Sequence, residues 1–204
     1  MSSDRRADLS QFAPLTWSWL ALLFVTTRIQ RSASYRERQR LLREQSTNLK
    51  QLRRNPLRVL FASLLWLDGR AWWPYVPVFA GVLAPAERRL GPVRFVGVGL
   101  SAHVLATLTS QHLVARSIRA GRAPVTQARA RDVGVSYFAC GIGGWLGGQL
   151  PPPWRHRVQL AAGASVAATV LSGRSFTTVG HCVAFAVGVF GRQVRLTGRV
   201  RNGR

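Results

Sequence analysis

Residues 132–144 read DVGVSYFACGIGG, a serine inside an apolar, glycine-rich run with one acid at its edge. If this run is a membrane helix, Ser136 is either a small packing residue or a buried nucleophile. A hydroxyl alone in such a helix usually bonds its own backbone. A reactive serine needs a base beside it, because it attacks well only as its proton is taken. The rest of the chain must say which setting this run occupies.

Composition points to a membrane. The 204 residues are 47% hydrophobic and carry a formal net charge of +22. Mean hydropathy is nevertheless +0.05, so the apolar residues must be gathered into blocks. Blocks of that kind between basic loops describe a membrane protein better than a soluble nucleic-acid binder. No basic soluble domain interleaved with aromatics accompanies them, so nucleic acid is not an expected partner; anionic membrane lipids are. Lys50 is the one lysine among 29 basic residues, a bias that reads as the codon usage of a GC-rich source. Cys140 and Cys182 lie in apolar segments with no C-x-x-C or Cys/His spacing. Neither a disulfide framework nor a metal site is expected, and no cofactor-binding pattern is visible.

Six apolar blocks are candidate spans: 12–28, 71–86, 93–113, 132–150, 158–173 and 176–191. The expected fold is all-α, a multi-pass helix bundle in the cell membrane. Several blocks are shorter than the ~20 residues that a lone lipid-facing helix wants. Their glycines, as in ACGIGGWLGG and LAAGASVAATVLSG, suit helices packed closely against one another. Residues 1–54 read as an N-terminal anchor helix plus a basic amphipathic segment, 55–191 as the membrane core, and 192–204 as a basic disordered tail. No small-x-small cleavage site follows FAPLTWSWLALLFVTT, so that block reads as an uncleaved anchor.

The segment RIQRSASYRERQRLLREQ predicts an amphipathic helix, either resting on anionic lipid heads or simply solvated. After it, NPLRVLFASLLWLDG is a proline-started apolar stretch of about a dozen residues, suited to lie in or dip into the membrane. If 57–68 crosses instead, there are seven crossings, and Arg28–Arg58 shares a side with ERRLGPVR and the tail. A six-span layout puts the most basic loop on the outer side. The tryptophans fall near segment ends, where interfacial anchoring accounts for most of them.

Polar groups inside spans are expensive and therefore candidate sites. His181, in FTTVGHCVAFAVG of the last block, is the base available to Ser136; alternatively a Ser136–His181 hydrogen bond ties two helices together. His103 reads as a structural histidine bonded to a neighbouring helix, and His112 and His156 as solvated. Glu87 with Arg88 and Arg89 is expected to fix a loop by local ion pairs. Asp132 is expected to cap the serine helix.

The order of these features resembles the rhomboid superfamily of intramembrane serine proteases, closest to the small rhomboid-like membrane proteins of actinobacteria. The likeness runs over about residues 46–191. Arg58 falls where rhomboids carry the arginine of a Trp-Arg motif in the first loop. Glu87, Arg89 and Gly91 match the Glu-x-Arg-x-Gly pattern ending the second core helix. Gly134 and Ser136 match the start of Gly-x-Ser-Gly, and His181 with Gly188 matches the histidine and a later glycine of the last helix. The resemblance implies a six-helix core with a Ser136–His181 dyad acting on transmembrane substrates, and a gate region near 57–68 and 71–79.

There are departures. The histidine and asparagine that help hold the oxyanion in rhomboid proteases fall at Ala71 and Tyr75. The glycine after the serine is Tyr137, the aromatic that packs on the histidine is replaced by Cys140, and the glycine three after the histidine is Ala184. Backbone N–H groups near Ser136, with the hydroxyl of Tyr75 and the neighbourhood of Gly134 and Tyr137, are the oxyanion candidates left. These losses predict a slow enzyme, or a catalytically inactive rhomboid-like protein that binds transmembrane segments.

Overall fold

A computed structural model describes residues 12–69, 71–172 and 175–191, and every regular element among them is helical. Helix α1 (Pro14–Ser32) begins with a proline, whose missing N–H has no partner to lose at that position. Ser34 and Glu37 form a reciprocal capping box that starts α2 (Tyr35–Glu44). The Ser34 hydroxyl and backbone N–H hold the Glu37 carboxyl below its usual value. Asn48 caps α3 (Leu49–Arg54) by accepting from the Gln51 N–H.

The stretch that raised the crossing question is α4 (Pro56–Ala62), continued by a 3₁₀ turn at Ser63–Leu65. At 1.5 Å per residue these turns reach roughly 15 Å, about half of the ~30 Å hydrocarbon thickness. That length suits a helix lying in or dipping into the membrane, as its proline-started apolar sequence suggests. Leu57, Phe61 and Leu65 remain exposed along one face.

Next comes an irregular helix, α5, in which Trp73–Tyr75 (3₁₀), Val76–Val78 (α), Phe79–Leu83 (π) and Ala84–Leu90 (α) run on without a break. Pro74, Pro77 and Pro85 each remove a backbone donor, which is why the winding changes along it. Gly91 ends it with φ 74° and ψ 162°, a conformation essentially reserved for glycine, and Pro92 restarts the chain.

Helix α6 (Pro92–Arg119) is the one described helix long and apolar enough by itself to cross a membrane, and it overruns the expected 93–113. After a 3₁₀ turn at Val125–Arg129 follow α7 (Val135–Gly148), α8 (Trp154–Leu171) and α9 (Phe176–Phe190). Helices α6, α7 and α9 pack on one another, with α8 against α9. The expected tail, 192–204, lies outside the described residues.

Two packing features set the site. Leu20 and Leu23 of α1, Phe79 and Leu83 of α5, Phe95 of α6, and Phe138 and Ile142 of α7 share one buried cluster. Trp19 stands within it, edge-on to Phe79 at 5.0 Å and to Phe138 at 4.8 Å, and donates to the Leu64 carbonyl at 2.7 Å. It is therefore an internal tie and not the interfacial anchor that its place near a segment end suggests. The second feature is the α7–α9 contact, made backbone to backbone. A methyl at Gly144 would strike the Phe185 carbonyl, and one at Gly188 would strike the Gly141 carbonyl. The glycine-rich motif thus lets two short helices meet backbone to backbone.

Candidate active site

Ser136 lies in the first turn of α7 and His181 in the second turn of α9, and the glycine contact aligns these two turns. Ser136 Oγ and His181 Nε2 are 2.9 Å apart, a full hydrogen bond between partly buried groups. In the tautomer protonated on Nδ1, Nε2 is able to take a proton from the serine.

Gly134, two residues before the serine, donates its N–H to the Ser63 carbonyl at 3.0 Å. A methyl at this position would enter the His103 ring. His103 is fully buried and lies 3.1 Å from the Leu60 carbonyl and 3.3 Å from Ser63 Oγ through Nε2. It bonds the α4 region from α6, the structural placement expected of it. His112 and His156 are exposed.

Tyr137 takes a place that its neighbours in the chain do not indicate. Its ring meets His181 edge-on, with centroids 5.0 Å apart and planes at 67°. An aromatic does pack on the histidine here, supplied by the position after the serine instead of the one at Cys140. Its hydroxyl reaches Asp132 Oδ2 at 3.3 Å, so it is engaged there and not presented to an oxyanion. Gln111 Nε2 donates to the same oxygen at 3.2 Å. Asp132 is thus a buried acceptor joining α6 to α7, whereas the expected cap is absent: no side chain caps α7. Asp132 bonds Tyr137 and Gln111, and no third member joins His181 through it.

Tyr75 is half-buried and packs on the cluster around Phe79. Cys140 packs with Ala102, Ala106, Tyr137 and Ala184. Uncapped, the first turn of α7 keeps backbone N–H groups at Ser136 and Tyr137 without intrahelical partners. These are the donors that the geometry leaves for a developing negative oxygen. A cavity of about 550 Å³, lined by neither Ser136 nor His181, lies between the C-terminal part of α6 and the start of α9, where Phe176 and Val179 line it.

The second-helix motif has its own task. Glu87 accepts from the Leu15 N–H at 3.0 Å, and from the Thr16 N–H and hydroxyl at 2.7 Å each. A buried carboxylate thus holds the open start of α1. Arg89 is exposed beside Gly91, and Arg58 turns into a basic groove. Among the described residues no group of three His, Cys, Asp or Glu is placed to hold a metal ion.

The sequence model of the rhomboid-like protein family matches residues 9–200. The chain belongs to the rhomboid-like family. No curated protein and no solved structure matched it. As a rhomboid-like protein it is an integral membrane protein, and its all-helical fold agrees with the family to which the motif order pointed.

Proposed function

We propose that this rhomboid-like protein is a slow intramembrane serine endopeptidase acting on transmembrane segments, as a multi-pass protein of the cell membrane. The observation that carries this reading is the 2.9 Å contact between Ser136 Oγ and His181 Nε2. Ser136 attacks the scissile carbonyl as His181 takes its proton, giving a tetrahedral oxyanion. The N–H groups opening α7 stabilise that oxygen. His181 then passes the proton to the leaving amine, and an acyl-enzyme forms on Ser136. Water, deprotonated by His181, attacks the ester; the acid leaves and Ser136 regains its proton.

Slowness follows from the missing side-chain donors at Ala71 and Tyr75, since each oxyanion donor removed typically costs ~10²–10³ in turnover. The same absence favours a second reading, a catalytically inactive protein that binds transmembrane clients and uses the Ser136–His181 bond to join α7 to α9. Neither reading involves a cofactor or nucleic acid, and both place anionic lipids around the basic loops. Labelling with a serine-reactive fluorophosphonate separates the two. The peptidase reading expects wild-type protein to label and both Ser136→Ala and His181→Ala to lose the label. Equal labelling of wild type and Ser136→Ala, or none in either, establishes the binding reading instead.

A further inference from the structure

The loops at the serine end of the bundle enclose a surface groove of about 500 Å³, apart from the Ser136–His181 pair. Helix α2 lines it with Arg36, Arg40 and Arg43, and α3 with Lys50 and Arg54. Arg58 enters from α4 and Arg129 from the 3₁₀ turn before α7. Glu44 is the one acid in the lining, and it is already paired with Arg40 at 2.9 Å.

Cations gathered this densely repel one another, so something other than their own attraction must hold them together. Buried ties do so. Leu42 is fully buried beneath α2, and the Thr47 N–H and hydroxyl both donate to the Asp132 carbonyl, at 2.9 and 3.1 Å. The inference rests on this enforced convergence and not on the choice of arginine, which composition alone explains. A lone phosphate would leave most of the charge uncompensated, so the fitting ligand carries several negative charges.

What surrounds the groove indicates where that ligand resides. Arg58 shares its short helix with Leu57 and Phe61, exposed by 71% and 57%. With Leu65 they follow a four-residue spacing, which aligns them on one helix face. In an integral membrane protein that face belongs among acyl chains. A lipid satisfies both halves, its headgroup in the groove and its chains along Leu57 and Phe61, whereas a soluble polyanion leaves the apolar face uncovered. We propose that the groove binds the headgroup of a membrane lipid carrying two or more phosphates. This depends on the membrane placement of this end of the bundle and not on the chemistry of Ser136.

The test uses full-length protein in neutral detergent micelles, with bound ligand counted by native mass spectrometry. It is titrated with diphosphatidylglycerol, with phosphatidylglycerol at matched charge, and with sodium tripolyphosphate. Diphosphatidylglycerol should bind at least tenfold more tightly than phosphatidylglycerol. The triple variant Arg43→Gln, Lys50→Gln, Arg54→Gln should weaken it at least tenfold. Arg94→Gln, Arg155→Gln, Arg157→Gln, which removes the same charge at the opposite end of the bundle, should leave it unchanged. If the first triple variant loses its thermal midpoint, the single exposed substitution Arg54→Gln carries the test with a threefold loss. The proposal is overturned by equal affinity for the two lipids, by equal losses in both triple variants, or by tripolyphosphate binding as tightly as the lipid. Fluorophosphonate labelling read in parallel reports on Ser136 separately.

Discussion

Tyr137 holds His181 edge-on at 5.0 Å while its hydroxyl reaches Asp132 at 3.3 Å, so the residue after the serine positions the candidate base. The ring and the hydroxyl should therefore separate by mutation. Tyr137→Phe keeps the ring and leaves Asp132 bonded to Gln111, and should lower stability by about 1–2 kcal/mol. On the peptidase reading its labelling rate should stay within about threefold of wild type, because the histidine contact is intact. Tyr137→Leu should slow labelling by roughly tenfold, an effect on geometry of the kind that misplacement produces. Equal labelling rates in the two variants would remove the positioning role.

The α7–α9 approach predicts an asymmetry among glycines. Gly188→Ala drives a methyl into the Gly141 carbonyl and should cost about 1–3 kcal/mol, as overpacking does, while moving Ser136 from His181. Gly163→Ala on α8 meets nothing within 4 Å and should be neutral or slightly stabilising. Thermal or denaturant unfolding of the two variants checks this; a loss as large at Gly163 would contradict it.

Glu87 predicts a long-range effect of a short motif. Its carboxylate satisfies the Leu15 and Thr16 N–H groups at the start of α1, where helix polarity favours negative charge. Glu87→Gln keeps an acceptor but removes the charge, and should destabilise by about 1–2 kcal/mol, in the range of charged hydrogen bonds. Hydrogen exchange should quicken at the Leu15 and Thr16 amides before it does in α6. Unchanged exchange at those amides would show that Glu87 does not hold α1.

A six-crossing arrangement predicts which loops share a side. Asp68 pairs with Arg131 at 3.0 Å and Thr47 bonds Asp132, so the loops before α5 and before α7 meet at one end. In a Cys140→Ala, Cys182→Ala background, Tyr35→Cys and Val125→Cys should react with a membrane-impermeant maleimide from one side. Val93→Cys and Trp154→Cys should react from the other; all four are exposed positions. A split of Tyr35→Cys from Val125→Cys would break the arrangement.

Much of the site is legible in the sequence because its signals are local. Apolar blocks between arginines mark helices whatever their neighbours, and Ser136 and His181 stand out as polar groups in two of those blocks, in the order that a rhomboid keeps. Glycines at 141, 144 and 188 announce close packing, though not which helix faces which. Where the sequence misleads, one cause recurs. Proximity along the chain points Asp132 to a helix end and Trp19 to an interface, and says nothing of the tie from Glu87 to α1. Each of these residues meets a partner on another element.

The sequence by itself determined the helical membrane character and singled out Ser136 and His181 as a candidate pair, since these depend on composition and order along the chain. Only the tertiary structure decided that Glu87 serves α1 from 71 residues away and that Tyr137 braces His181. Hydrogen bonds and ring contacts require distances of a few ångströms. Such distances are set by how close the helices pack, which here rests on backbones meeting at Gly144 and Gly188 and not on any pattern readable along one helix.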